Sequence, residues 1–100
     1  MGERLALVRK IFEDLQRGRV DRSLLTANCS DYFSEPAVKD FADSLGPLGP
    51  PDEFRQTSSS NRGGMGFRAY LVRFRAGKAV RVTMRDMPDG KIEQYQVMAE

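Results

Sequence analysis

Residues 69–85 read Ala-Tyr-Leu-Val-Arg-Phe-Arg-Ala-Gly-Lys-Ala-Val-Arg-Val-Thr-Met-Arg, and the period of this stretch decides the fold. Tyr70, Val72 and Phe74 alternate with Leu71, Arg73 and Arg75; after a short break, Val80, Val82 and Met84 alternate with Arg81, Thr83 and Arg85. A period of two sends successive side chains to opposite faces of a strand. With residues 76–78 as the turn, the stretch predicts two antiparallel strands with one apolar face and one face bearing Arg73, Arg75, Arg81 and Arg85.

Working outward, residues 54–60 read as a polar edge strand and residues 61–64 as the first hairpin turn. Downstream, Pro88, Asp89 and Gly90 form the strongest turn signal in the chain, because proline presets the first corner and glycine accepts the left-handed one. Residues 91–98 make the last strand. Upstream the period lengthens. Leu5, Val8, Ile11, Phe12 and Leu15 recur at helical spacing, and Gly18 is a natural stop. Residues 20–34 read as a broken helical segment, with Asp21 capping a short turn and Thr26, Asn28, Ser30 and Asp31 competing with helix through their side chains. Ser34 then caps a helix whose apolar stripe is Val38, Phe41, Ala42 and Leu45. Pro47, Gly49, Pro50 and Pro51 end it and connect to the sheet.

The predicted fold is therefore α+β, in one domain spanning residues 1–100. It has a helical half over 3–46, a Pro/Gly connection over 47–53 and a four-stranded antiparallel meander over 54–98, with the helices on one face. Tyr70, Val72, Phe74, Val80, Val82 and Met84 should meet Val8, Ile11, Phe12, Leu15, Val38, Phe41 and Leu45 in the core. The uncovered face should carry Leu71, Arg73, Arg75, Arg81, Thr83, Arg85, Ile92, Gln94 and Gln96, and this is the candidate interaction face. Finding Arg81 and Arg85 under the helices would overturn this register.

Composition narrows the function. The 100 residues, 40% hydrophobic, suffice for one core. No apolar run approaches the roughly 20 residues that cross a bilayer, and residues 1–10 lack the apolar centre of a signal peptide; neither membrane insertion nor export follows from this stretch. Met1 and Gly2 stand directly before the helical pattern, which suits either a natural start or a domain excised from a longer chain. The chain has no histidine and one cysteine, Cys29, so the usual zinc and iron ligand sets, a His-based triad and an internal disulfide are all excluded. Asn28, Ser30 and Asp31 beside Cys29 offer no base to activate it. No catalytic residue, metal ligand or cofactor is expected.

Charge is unevenly spread. Seven basic residues and no acid lie between Arg62 and Arg85, leaving nine basic against 14 acidic residues elsewhere. Gly63, Gly64 and Gly66 imitate a phosphate loop, but strands rather than a helix follow them, and a hairpin turn is the better account. Gly64, Gly66, Phe67 and Tyr70 partly match the RNA-recognition octapeptide, and the order of elements argues against that fold. A sheet face bearing four arginines could still hold phosphate, so anion or nucleic-acid binding through that face stands as a third reading, less favoured than an ordinary solvated or partner-covered face. Glu13 with Asp14, and Asp40 with Asp43, read as solvent-facing helix charge. Met84, Met87 and Met98 read as core or rim fillers.

Leu24-Leu25-Thr26, Asp31-Tyr32-Phe33-Ser34, residues 41–49 and residues 87–95 resemble the nuclear transport factor 2-like and ketosteroid isomerase-like group, a cystatin-like roll. More narrowly, the chain is similar to small C-terminal domains of bacterial serine hydrolases of the β-lactamase and carboxypeptidase-like type. The resemblance implies a non-catalytic accessory domain that forms a homodimer through the sheet face or docks on a parent enzyme domain, and a periplasmic or secreted location if the parent is such a hydrolase. The alternative it implies is a reduced ketosteroid isomerase-like enzyme or small-ligand binder. For that reading Asp31, Tyr32, Tyr70, Asp86 and Tyr95 are the raw material, and a pocket joining Tyr32 or Tyr95 to a carboxylate would favour it.

Overall fold

The computed structural model describes residues 2–99, and side chains over residues 5–99. Three helices, α1 (Gly2–Gln16), α2 (Ala27–Tyr32) and α3 (Glu35–Leu45), precede four strands, β1 (Pro51–Arg62), β2 (Met65–Phe74), β3 (Ala79–Asp86) and β4 (Ile92–Ala99). The strands pair in chain order as an antiparallel meander, so the fold is α+β with its helices first, as the periodicities predict.

The register follows from alternation. Tyr70 lies opposite Val82 and Val72 opposite Val80, while Val97 faces Val82 and Tyr95 faces Met84. All six apolar residues expected on the inner face of β2 and β3 are buried, together with Val8, Ile11, Phe12 and Leu15 of α1 and Val38 and Leu45 of α3; Phe41 is half-buried at the margin. Phe12 sits at the centre, edge-on to Phe54 at 5.9 Å between ring centroids and 6.0 Å from Phe74. A second aromatic group joins Phe33 to Phe41 and Tyr95. The Tyr95 hydroxyl donates to the Val8 carbonyl at 3.0 Å, tying β4 to α1.

Local chemistry sets the helix ends. Ser34 Oγ accepts from the Ala37 amide at 3.3 Å, the cap expected for α3. Asp21 caps a 3-10 turn over Arg22–Leu24 by accepting from the Ser23 amide. Thr26 does not break helix as its composition suggests. Its Oγ1 accepts from the Cys29 amide at 3.2 Å and starts α2, because the same hydroxyl also donates to Glu93 at 2.8 Å and is held in the capping position by β4. Arg22 then closes the other end of α2, donating to the carbonyls of Ser30 and Phe33 at 2.7 Å each. The acids of α1 are solvent-side charge: Glu13 pairs with Arg9 and Asp14 with Lys10, each one turn apart.

Three expectations need correction. Strand β1 is longer than residues 54–60. It begins at Pro51 and continues to Arg62, because proline is tolerated at the first residue of an edge strand and the polar residues 58–62 continue to pair with β2. Ile92 is not on the open face; it is fully buried. A bulge at Glu93 shifts the register so that Gln94 lies opposite Arg85 but Ile92 lies opposite Asp86, and one extra residue reverses the side to which Ile92 points. Arg75 falls just beyond β2, exposed in the turn to β3 rather than on the sheet face proper.

Asp86 is the buried charged residue of the described core. It stands at the end of the sheet, with Arg68 Nε 3.8 Å from its carboxylate. Gly66 faces it across the β2–β3 ladder, and a Cβ there would collide with the Asp86 carboxylate oxygen. The glycine is therefore required by close packing. Gly63 and Gly64, by contrast, serve the hairpin turn through positive φ values of 55° and 81°.

Candidate interaction surface

The face of the sheet away from the helices is built from cross-strand rows. Ser60, Phe67, Arg85 and Gln94 form one; Ser58, Ala69, Thr83 and Gln96 the next; then Arg55, Leu71, Arg81 and Met98; and finally Glu53, Arg73 and Ala79. Eight of the nine predicted face residues are thus solvent-side, seven in these rows and Arg75 at the adjoining turn, with Ile92 the exception. Phe67, Arg55 and Met98 were not anticipated. Met98 follows from the same alternation within the predicted last strand, and Phe67 follows once β2 is carried back to its observed start at Met65. Arg55 follows from alternation with the buried Phe54; the bulge between Gln56 and Ser58, which has no local sequence signal, brings Ser58 and Ser60 onto the same face.

The middle of this surface is half-buried and largely apolar, comprising Phe67, Ala69, Leu71 and Thr83, and the outer positions Arg55, Arg73 and Arg81 are exposed. Glu53 is the acid among them. It reaches Arg55 at 3.2 Å and Arg73 at 3.4 Å, so these two arginines share one carboxylate across adjacent rows. Arg85 lies over the Phe67 ring at 5.0 Å from its centroid, with its Nε buried and lacking a hydrogen-bond partner among the described residues. This stacking covers one face of the ring, whereas single-stranded nucleic acid needs open aromatic faces on which to stack.

A second feature lies between α2 and the edge of β4. It is an open cleft of about 260 Å³, lined by Asn28, Cys29, Tyr32, Glu93, Tyr95 and Gln96 among others, and so it joins two tyrosines to a carboxylate. The chemistry of these groups is restrained. The Tyr95 hydroxyl is turned inward onto the Val8 carbonyl, and burial raises its pKa well above the usual phenol value. Glu93 accepts from Thr26, with Asn28 Nδ2 at 3.5 Å from its other oxygen. The Cys29 thiol is buried and pushed up to about 11, first by burial and then by the negative charge of Glu93. A thiol held protonated is a poor nucleophile. Asp31 adds nothing to the cleft, being exposed on α2, and Tyr70 and Asp86 lie within the core. Among the described residues no group of His, Cys, Asp and Glu is placed to hold a metal ion, and no helix is long and apolar enough to cross a membrane.

The Cys29 shift has a measurable sign. The unfolded thiol titrates near 9.0 and the folded one near about 11, so between these values the unfolded chain gives up a proton that the folded chain retains. Stability contributed by Cys29 is complete below pH 9 and falls as pH rises through this window. Urea midpoints measured from neutral to alkaline pH should therefore decline, and Cys29→Ser should flatten part of the decline; Tyr95 supplies a further fall of the same sign. In the native state Cys29 should resist iodoacetamide at neutral pH and react on unfolding.

The comparisons with known proteins add no relative: no family model matches the chain, and no curated protein or solved structure is significantly similar to it.

Proposed function

We propose that this chain is a non-catalytic protein-interaction domain that docks a partner surface on the open face of its sheet. The observation that carries the reading is the half-buried apolar centre of Phe67, Ala69 and Leu71, bordered by Arg55, Arg73 and Arg81 and left uncovered by the helices. Desolvating guanidinium groups is unfavourable unless carboxylates meet them, so the complementary partner carries acidic side chains around an apolar contact. A face-to-face homodimer would set the arginines of one copy against those of the other; an acidic surface of a parent enzyme domain suits the face better. Complementary charge of this kind speeds encounter and makes it salt-sensitive.

The test is fluorescence anisotropy with a labelled synthetic peptide of alternating glutamate and leucine as the probe, and single-stranded RNA as the competitor class. Leu71→Asp and Arg81→Glu should each weaken peptide binding at least tenfold, on the order of 1.4 kcal/mol, with the circular dichroism unchanged. Binding of RNA in preference to the peptide contradicts the reading.

A second reading is supported by the cleft beside α2. Tyr32, Glu93 and Gln96 could grip a small polar ligand there, making the domain a small-ligand binder. A ligand whose binding is lost in Glu93→Ala but kept in Leu71→Asp would establish it.

A further inference from the structure

The two outer strands of the sheet are protected very differently. Strand β1 carries Pro51, Asp52, Glu53 and Arg55 and two register shifts, all devices that discourage another strand from pairing with an edge. Strand β4 is covered only at its start, where Leu25 bridges Ile92 and the Thr26 amide donates to the Ile92 carbonyl at 2.9 Å. Beyond the bulge, residues 94–99 read Gln-Tyr-Gln-Val-Met-Ala, with no charge and no proline, and among the described residues no further backbone bond outside the sheet reaches them. The two large hydrophobic side chains exposed among the described residues both flank this edge. Met98 lies on β4 itself and is 43% exposed; Tyr32 lies on α2, 55% exposed, and lines the clefts against Tyr95 and Val97.

We infer that residues 95–99 of β4 pair antiparallel with the same residues of a second copy, Val97 opposite Val97, forming a two-fold dimer with one continuous eight-stranded sheet. The occupant is a second copy because an uncharged edge is complementary to itself: a two-fold pairing sets like residues near like, and here no like charges meet. A two-fold axis normal to the sheet keeps both open faces on one side and brings Gln96 and Met98 of one copy opposite the same pair of the other. The exposed Met98 and Tyr32 then lie at the seam.

Sedimentation equilibrium of the chain over a concentration series tests this. The expected result is a reversible dimer. Gln96→Lys with Met98→Lys places four like charges across the seam and should raise the dissociation constant at least tenfold, with an unchanged circular dichroism spectrum because both positions are exposed, while the wild type alone should show a melting temperature that rises with concentration. Mixing this variant with Gln96→Glu, Met98→Glu should restore association as a heterodimer, a result that misfolding could not produce. A wild-type chain that is monomeric throughout, as expected if the edge takes a foreign strand, overturns the inference, and so does a dimer that the lysine variant leaves intact. The docking reading stands or falls separately: Leu71→Asp, two strands away from the seam, should abolish peptide binding and leave the dimer unaltered.

Discussion

Phe12→Ala is expected to remove about 3–5 kcal/mol of folding stability, the range for deleting a large aromatic from a packed core. Phe12 is completely buried and is the ring of α1 that meets both the outer strand, through Phe54, and the inner sheet, through Phe74. No neighbour can collapse into the space without abandoning one of these contacts. Because a domain of this kind has only about 5–15 kcal/mol in total, the variant should sit near the edge of unfolding at room temperature. Urea titration followed by circular dichroism measures the loss. Lys39→Ala, at an exposed position on α3 away from both the open face and the β4 edge, is the control and should change stability by no more than about 0.5 kcal/mol.

Gly66→Ala has the second largest expected effect although it adds a single methyl group. That methyl meets the Asp86 carboxylate, which is buried and faces Arg68. Either the strands part or the carboxylate swings out of its place; overpacking of this kind costs about 1–3 kcal/mol, and a displaced buried charge adds to it. The diagnostic is non-additivity. Asp86→Ala alone should destabilise by leaving Arg68 without its acid, but in the Gly66→Ala background it removes the collision, so the double variant should be more stable than the sum of the two single losses. Simple additivity would show that the two side chains do not compete for the same space.

The sequence is most legible where one element contains its own explanation. The alternation over residues 70–84 is enough to assign the inner and outer faces of β2 and β3, and Ser34 with Pro36 marks the start of α3 without reference to anything distant. Legibility fails where the deciding partner is far along the chain. Thr26 caps α2 rather than breaking it because Glu93, 67 residues later, holds its hydroxyl. Ile92 faces the core because of a bulge that no local residue announces, and Asp86 is buried because Gly66 on the neighbouring strand leaves room for it. Of the candidate site, the arginines and Leu71 could be read from parity alone. The joining of Tyr32 to Glu93 in the cleft could not, since it depends on how α2 is pinned to the edge of β4.

The central claim is that the open face, rather than the cleft, is where a partner binds, and an amide-resolved NMR titration with the glutamate–leucine peptide locates binding directly. The account predicts shifts concentrated at Leu71, Arg73, Arg81 and Thr83 on β2 and β3, diminishing as salt is added. Shifts confined to Tyr32, Glu93 and Gln96 around the cleft, with the face of β2 and β3 unmoved, would contradict it.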